Sequence, residues 1–485
     1  MNIDSVQLIT TTTTVGKGAN DGTYPPGGLL TIAQAVTRAF PSMRVCIHDQ
    51  HHGEVDIDPG ADVVGIQVAS TLCYKNALAF AQKAHALGKI VVLGGPHATA
   101  LHERIMHNRP YVDCLIRGKG EIPFISLLRA LRRNSSIGEI PRLSWRDRGR
   151  VVHNMDHDAE TWSFDEYTPL PLHLLAPGVG TYWDAFRKES KRDVAAAFLL
   201  FTHFGCGYRQ RRLKATAGGA GVVSNQQTGF CSFCSLDDSP VARNVQSILA
   251  EIQHYIVHYH IPRGSKVHLK CYGDNAATQV QLFEELADAI AACPWWSDYV
   301  FEWTFYCQSS YLNERLAHLL KRVGATHLYI GFDGVNNAVQ RMNGLGTSRA
   351  THERAVELCL KHGFKIQAGS VVGLMGDTPD SLEELYQFFC RLLAHPGLLD
   401  RINSAILFVI PHTPAYQLLC SREPHLAELD LLPTTAVRKL WIKHFCPRVS
   451  LELLEEYANR IDELSPGQHA SMGFRSSRLQ AEQSG

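Results

Sequence analysis

Residues 61–95 read ADVVGIQVASTLCYKNALAFAQKAHALGKIVVLGG, and their pattern is the clearest indication of the fold class. Residues 61–68 form an apolar run that is typical of a strand buried on both faces of a parallel sheet. Residues 74–87 have helical spacing with Gly88 at the C-cap position, and residues 89–94 are a second apolar strand. This strand–helix–strand order predicts a parallel sheet that is covered by helices.

The same alternation continues on both sides of this stretch. A helix is predicted over 29–39, and strands over 45–49 and 112–117, with a further helix from about Pro123. We therefore predict an α/β chain whose residues 1–150 form a Rossmann-like, doubly wound parallel sheet. Residues 151–190 are polar, aromatic and rich in proline, and are interpreted as a linker.

A second series of strand–helix units follows the linker. Strands are predicted at 194–202, 267–272, 301–307, 327–332, 366–373 and 405–410, with helices near 243–259, 278–292, 312–323, 349–362 and 381–394. Six such units predict a partial (β/α)6 barrel of the TIM type over residues 191–420, with its chemistry at the C-terminal ends of the strands. Residues 421–485 are expected to form a small helical C-terminal cap.

Composition narrows the class of function. The chain has 485 residues with 47 Lys and Arg against 47 Asp and Glu, and this balance argues against a nucleic-acid or anionic-membrane partner. The sequence contains no apolar run of the ~20 residues that a membrane span needs, and its first residues do not resemble a secretory signal. The 13 cysteines are mostly scattered, which favours reduced thiols in a cytoplasmic enzyme that acts on a small molecule or a natural-product intermediate.

Three cysteines carry the strongest chemical signal. Cys231 and Cys234 form a C-x-x-C pair in GFCSFCS, and Cys206 follows the first predicted barrel strand. Three thiolates can hold a [4Fe–4S] cluster and leave one iron open for another ligand. A structural zinc ion would need a fourth ligand, for which His203 is available, and unrelated buried thiols are the third interpretation.

The three cysteines, followed by six strand–helix units, resemble the radical S-adenosylmethionine (SAM) enzymes. Phe233 occupies the position between the last two cysteines that is usually aromatic in that family. The resemblance implies a [4Fe–4S] cluster on Cys206, Cys231 and Cys234, with SAM bound beside it. One feature departs from the family pattern, because 24 residues separate Cys206 from Cys231 instead of three.

Later segments resemble the same family at matching strand ends. The resemblance implies that Gly273 and Asp274, after the second strand, contact SAM, and that Asp333, after the fourth, lies near its ribose. Residues 373–378 and 411–414 resemble the family's later Gly- and Pro-containing turns.

The N-terminal unit resembles the cobalamin-binding domain that is fused to such enzymes. In an open parallel sheet, ligands bind at the carboxyl ends of the strands, where glycines let the backbone approach a large ligand. The residues assigned to this site are Ser70, Thr71, Gly94, Gly95, His97, Gly118 and Glu121. No histidine is expected to bind cobalt, and the alternative is a Rossmann-like domain whose glycines only make turns.

The two resemblances together imply an enzyme that functionalises an unactivated carbon, most directly by C-methylation. Its implied cofactors are a [4Fe–4S] cluster, SAM and cobalamin, and its implied partner is an electron donor such as flavodoxin or ferredoxin. Three alternatives stay open: a cobalamin-dependent radical cyclisation, rearrangement or oxidation; a radical SAM enzyme whose N-terminal domain is a relic and binds no cobalamin; and a non-catalytic cobalamin- or metal-binding protein with a degenerate barrel.

Overall fold

A computed structural model of the chain describes residues 3–13, 22–156, 163–206, 231–235 and 241–466. The strands are β1 (Ser5–Thr10), β2 (Arg44–Asp49), β3 (Val63–Gln67), β4 (Ile90–Gly94), β5 (Cys114–Ile116), β6 (Leu143–Asp147), β7 (Arg150–His153), β8 (Leu175–Ala176), β9 (Ala196–Leu200), β10 (His203–Phe204), β11 (Val241–Ala242), β12 (Lys266–Cys271), β13 (Val300–Tyr306), β14 (Ala325–Gly331), β15 (Lys365–Val372) and β16 (Leu399–Ile406). The 24 residues between Cys206 and Cys231 lie outside the described residues.

The helices alternate with the strands in both halves of the chain. They are α1 (Gly27–Ala39), α2 (Tyr74–Ala86), α3 (Pro96–Ala100), α4 (His102–Asn108), α5 (Glu121–Arg133), α6 (Gly180–Ser190), α7 (Val245–His258), α8 (Val280–Ala291), α9 (Glu314–Arg322), α10 (Asn337–Met342), α11 (Arg349–His362), α12 (Pro379–Leu393), α13 (Pro414–Arg422), α14 (Thr434–Phe445) and α15 (Leu451–Glu463). Within the described ranges, none of them combines the length and the apolar character that crossing a membrane requires.

The N-terminal sheet is doubly wound, as predicted. Its strand order is β7-β6-β5-β4-β3-β1-β2-β8, and β1 to β5 and β8 are parallel. The chain moves to β2 on one side of β1 and to β3 on the other, so the strand order reverses at β1. Such a switch point opens a crevice at the carboxyl ends of the strands, which is where α/β proteins bind ligands.

Three parts of this sheet are additions to the predicted strands. The interior strand β1 is buried at every position, and the sequence pattern predicts no strand there. An antiparallel hairpin, β6 and β7, extends one edge. The segment interpreted as a linker adds the short edge strand β8, which pairs with β2.

The second sheet is a partial barrel with the order β16-β15-β14-β13-β12-β9, all parallel and in sequence order, as predicted. An ion pair links the two edge strands, β9 and β16, near their N-terminal ends. The Nη2 atom of Arg192, which precedes β9, lies 2.6 Å from Asp400 Oδ2. A β-bulge shifts the β15–β16 register, because Leu399 pairs with Ile366 whereas Arg401 pairs with Gln367. Asp400 is therefore the extra residue of that bulge.

The C-terminal helices pack against the last barrel strands, which confirms the predicted helical region. Helix α15 contacts β16 and α12. Between the two domains, the buried Asp430 carboxylate accepts hydrogen bonds from the Tyr74 hydroxyl at 2.7 Å and the Asn108 amide at 3.1 Å. It also pairs with Arg109, 2.7 Å from Nε. This cluster is a polar joint between the N-terminal sheet and the C-terminal region.

Candidate functional site

A cavity of about 510 Å³ lies between the N-terminal sheet and the barrel. One wall comes from the carboxyl ends of β3, β4 and β5 and from the start of α1. The other wall comes from residues of the barrel strands and from residues that directly follow them. The N-terminal wall includes Gly27, Gly28, Gln67, Gly94, Gly95, Gly118 and Glu121, and the barrel wall includes Phe201, Lys270, Tyr272, Tyr306, Tyr329, Gln367 and Arg401. Both domains therefore face one space.

Backbone rather than side chains forms much of the N-terminal wall. Gly95 has φ +102°, and a Cβ atom there would lie 2.8 Å from the Val68 carbonyl oxygen. A Cβ atom at Gly27 would lie 2.5 Å from the ring of Phe201. Glycine is required at both positions, and the cradle they form lets a large ligand approach the main chain.

Glu121 places an unpaired acceptor in this wall. The Thr31 hydroxyl donates to its Oε1 atom at 2.7 Å, while Oε2 is buried and has no hydrogen-bond partner among the described residues. Buried polar atoms normally have a partner, so Oε2 is suited to an N–H donor of a bound ligand. The corrin side chains of cobalamin carry such amide groups, and the glycine cradle and Glu121 therefore fit cobalamin.

Ser70, Thr71 and His97 lie outside the cavity lining. The Thr71 hydroxyl is 3.0 Å from His97 Nδ1, and the His97 ring packs on Tyr74 with centroids 4.5 Å apart. Burial lowers the pKa of His97 to about 4, so the ring is neutral at pH 7. The His97 amide donates to the Val68 carbonyl at 3.3 Å, so the residue supports the turn at Gly95 from behind.

The barrel wall is built from long polar and aromatic side chains. The buried Lys270 ammonium lies 4.2 Å from the centroid of the Tyr306 ring and 5.7 Å from that of Tyr329. None of these three side chains was assigned to the site from the sequence. A lysine inside the apolar strand sequence VHLKC was the available signal, because a charged residue in a barrel strand faces the interior.

The three predicted metal ligands lie within electrostatic reach of one another. Burial raises the pKa of the Cys231 thiol, and the nearby charges of Cys234, Asp333 and Cys206 raise it further. Among the described residues, no three His, Cys, Asp or Glu side chains are gathered closely enough to hold a single metal ion. A [4Fe–4S] cluster separates its thiolates more widely than one ion does, and three thiols that form no disulfide have the donor chemistry it needs. Their assignment to such a cluster stays a prediction.

The C-x-x-C loop is fixed by a residue that the sequence did not indicate. The Ser232 amide donates to the Asn343 carbonyl at 2.9 Å, and its hydroxyl donates to Asn343 Oδ1 at 2.8 Å. The Ser232 carbonyl accepts the Ala415 amide at 2.8 Å. Phe233 and Cys231 pack against a buried apolar cluster, which consists of Val339, Leu345 and Leu374. Asn343 and Phe233 therefore hold the loop against the C-terminal side of the barrel.

Asp274 and Gly273 hold the loop that leads to Cys206. Asp274 Oδ2 accepts the Gly205 amide at 2.6 Å. A Cβ atom at Gly273 would lie 2.3 Å from the His203 ring, which explains the glycine sterically. Burial lowers the pKa of His203 to about 4, and Thr202 Oγ1 lies 2.9 Å from its Nδ1 atom. His203 thus packs on Gly273, with its Nε2 atom buried and without a hydrogen-bond partner among the described residues.

Asp333 lies beside the cysteines and close to Tyr329. Burial raises its pKa to about 7, and a hydrogen bond from the Val371 backbone opposes that rise. Its charge acts on both Cys231 and Tyr329. Asp333 therefore links the cysteine group to the barrel wall of the cavity.

Comparison with known proteins agrees with this geometry. Residues 228–389 match the radical SAM superfamily, and residues 20–128 match the B12 binding domain. The chain therefore carries a radical SAM domain and a B12-binding domain. The radical SAM match includes Cys231 and Cys234 and begins after Cys206, and the assignment of all three cysteines as ligands stays a prediction.

Relatives of this chain have low sequence identity to it. The uncharacterized methyltransferase PH0819 of Pyrococcus horikoshii is 23% identical over 337 residues, which are 68% of this chain and 64% of that protein. The anaerobic magnesium-protoporphyrin IX monomethyl ester cyclase of Rubrivivax gelatinosus is 20% identical over 376 residues, which are 73% of this chain and 58% of the cyclase. The chain thus matches less than two thirds of the length of these curated relatives.

A solved structure shares the fold. The radical SAM methyltransferase TsrM from Kitasatospora setae, solved with cobalamin and a [4Fe–4S] cluster, superposes with a TM-score of 0.60 at 16% identity. The match covers 87% of this chain and 76% of TsrM. The likeness extends over both domains and shows the fold alone.

Proposed function

We propose that this protein is a cobalamin-dependent radical SAM enzyme that methylates an unactivated carbon of a small molecule. One observation carries the proposal: the glycine wall of the B12-binding domain and the barrel wall enclose the same cavity. A group held on the first wall can therefore reach a substrate held on the second. The methyltransferase name of the Pyrococcus relative supports the same reaction class.

Each cofactor has candidate residues in the described chain. Cys206, Cys231 and Cys234 would hold the cluster, while Phe233, Gly273, Asp274 and Asp333 would shape the SAM site. Gly94, Gly95, Gly118 and Glu121 would contact cobalamin, with Ser70, Thr71 and His97 behind them. When bound, the cluster with SAM supplies hydrogen abstraction, and cobalamin supplies the methyl group.

The protein's own contribution is position and the exclusion of water. Asn343 fixes the C-x-x-C loop, and Asp274 fixes the approach to Cys206. Burial raises the pKa of Tyr329 to about 12 and also raises that of Tyr306, so both hydroxyls stay protonated and can donate to a substrate at pH 7. A small electron-transfer protein such as flavodoxin or ferredoxin would supply the reducing electron.

None of the thirteen cysteines, all of which are described, forms a disulfide, which supports our prediction of a reducing, cytoplasmic location. The formal net charge of zero supports a small-molecule substrate rather than nucleic acid.

Anaerobic reconstitution tests the proposal. The purified chain is supplied with iron, sulfide and hydroxocobalamin, and bound iron, bound cobalamin and the products of SAM are then measured. We expect about four irons per chain, retained cobalamin, and formation of 5′-deoxyadenosine and S-adenosylhomocysteine with reductant. Absence of SAM cleavage by a cluster-loaded protein would leave only the non-catalytic alternative, and failure to retain cobalamin would exclude the cobalamin-dependent reaction.

The similarity to the cyclase favours one second candidate, a radical ring closure or oxidation. The same assay separates the two functions. Methylation requires S-adenosylhomocysteine alongside 5′-deoxyadenosine, because a second SAM renews the methyl group. A ring closure would release 5′-deoxyadenosine without S-adenosylhomocysteine.

A further inference from the structure

The barrel wall of the cavity carries a localised positive charge. Its basic residues are Lys270 on β12 and Arg401 on β16, and Lys119 adds a third basic side chain at the opposite wall. Among the described lining residues, Glu121 is the acidic one, and it lies on the N-terminal wall bound to Thr31. The part of the cavity inside the barrel is therefore cationic.

Lys270 and Arg401 act on the same two rings from two strands that are not neighbours in the sheet, β12 and β16. The Lys270 ammonium lies over the faces of Tyr306 and Tyr329, whose ring centroids are 4.6 Å apart. The charge of Arg401 also acts on both phenols and opposes the rise in their pKa that burial causes. Both cations and the two tyrosines thus surround one region of the barrel interior.

The pairing of Arg401 leaves it able to bind another anion. Its Nη1 atom is 3.5 Å from Glu189 Oε1, and that glutamate side chain is 43% exposed. Exposed ion pairs of this kind contribute little free energy, so a carboxylate entering the cavity can replace Glu189 at small cost. A guanidinium suits a carboxylate because its planar fork can donate two parallel hydrogen bonds.

We propose that the substrate is an organic carboxylate whose anionic group binds between Lys270 and Arg401, with its apolar part against Tyr306 and Tyr329. The inference rests on the proposed function, because it identifies the substrate class of that same cavity. Tyrosine hydroxyls and rings on this wall provide hydrogen-bond donors and apolar contact for the rest of the molecule.

Matched acid and amide probes test the inference by binding rather than by turnover. The protein is loaded with cluster, cobalamin and saturating SAM, and is titrated calorimetrically with 3-phenylpropionate, 3-phenylpropanamide, indole-3-acetate and indole-3-acetamide. We expect at least one acid to bind about 10-fold or more tightly than its amide, because each charged hydrogen bond contributes about 1.5–3 kcal/mol. Equal affinity of acid and amide in both pairs, or binding of neither acid, would overturn the proposal.

Variants identify the residues. Arg401→Gln and Lys270→Met are each expected to weaken the acid about 10- to 100-fold and to leave the amide unchanged. Arg263→Gln is the control, since that exposed guanidinium lies 3.5 Å from Asp298 away from the cavity. Unchanged acid affinity in both cavity variants would contradict the assignment. If Lys270→Met does not fold, Arg401→Gln and the wild-type acid–amide difference decide.

SAM has a carboxylate of its own, and a separate titration distinguishes it. SAM affinity is expected to be the same in wild type and Arg401→Gln. Loss of SAM binding with unchanged acid binding would assign the cations to the cofactor and would overturn the proposal. Failure of the proposed function itself has a different signature, namely missing SAM cleavage by the loaded protein while the acid–amide difference persists.

Discussion

The two walls of the central cavity are built in opposite ways. The N-terminal wall is largely main chain, at Gly27 and Gly95, where no side chain fits. The barrel wall is made of long side chains, including Lys270 and Tyr306. A backbone wall has its shape fixed by φ and ψ, whereas a side-chain wall can change one residue at a time on an unchanged fold. This difference suits a constant cofactor on the first wall and a specific substrate on the second.

The largest expected effect comes from removing one side chain on the barrel side. Cys231→Ala is expected to abolish the cluster, so that bound iron falls from about four per chain to near zero, because two thiolates cannot hold it. Iron and sulfide analysis after anaerobic reconstitution measures this change. Cys293→Ala replaces a partly exposed thiol just after α8 and is the control with full iron content.

Cys206→Ala tests the more distant ligand in the same way. We expect the same loss of iron as in Cys231→Ala. An intact cluster in this variant would show that another residue supplies the third thiolate or its equivalent.

The polar joint around Asp430, between the N-terminal sheet and the C-terminal region, gives the next largest effect. Asp430→Asn keeps the volume of the side chain but leaves the Arg109 guanidinium and the Tyr74 hydroxyl without their charged partner. We expect the free energy of unfolding to fall by about 3 kcal/mol, together with weaker cobalamin retention. Denaturant unfolding measures the first quantity. Asp184→Asn, which breaks an exposed pair with Arg187 on α6, should cost less than about 1 kcal/mol.

Adding a single methyl group tests the backbone wall. Gly95→Ala is expected to lower the unfolding free energy by about 1–3 kcal/mol and to prevent cobalamin retention, because the new Cβ collides with Val68. Gly88→Ala is the matched control, since Gly88 also has positive φ but nothing lies within 4 Å of its Cβ position. That variant should lose about 1 kcal/mol and keep cobalamin. Full cobalamin retention by Gly95→Ala would contradict a backbone-built cofactor wall.

Acid should weaken the support behind the backbone wall. The pKa of His97 is about 4 in the folded protein because of burial, and 6.5 is its ordinary value. As the pH falls below 6.5 the unfolded chain binds a proton that folded His97 does not take up until about pH 4, so stability is lost across this range. Between pH 7 and pH 5 we expect this residue to account for about 2 kcal/mol of lost unfolding free energy.

The variant His97→Asn measures the part of the pH-dependent loss of stability that His97 causes. Its destabilisation relative to wild type should be about 2 kcal/mol smaller at pH 5 than at pH 7, measured by urea unfolding. The exposed His107→Asn should track wild type at both pH values. Equal destabilisation by His97→Asn at both pH values would show that the folded ring is already able to bind the proton.

The strands that the sequence predicted well are those whose burial leaves a plain apolar pattern. Strands β3 and β4 lie in the sheet interior and were placed within two residues of their observed ends. The sixth barrel strand was placed at 405–410 but runs over Leu399–Ile406. It is an edge strand in which only Leu399 and Ile402 are buried, so half of its sequence is polar, and the apolar pattern that predicts a strand continues beyond its end.

The candidate site shows a similar division. The sequence indicates the cysteines and several of the glycines as candidate site residues, because a metal cluster or a positive φ restricts the residue type. Asn343, Lys270 and Arg401 were not, because their roles depend on which distant strand ends meet. Asn343 contacts Ser232 across 111 positions of the chain, and no local pattern records that contact.

The bulge at Asp400 has a consequence for how this barrel can change its specificity. Successive residues of a regular strand face opposite sides, but the extra residue lets two neighbours serve the barrel together. Asp400 accepts the amide of Gln367 and pairs with Arg192, which joins the barrel edges. Arg401, its neighbour, lines the cavity. Position 401 is thus open to redesign for a new substrate, while the adjacent position 400 must stay as it is to keep the ion pair between the two edges of the partial barrel.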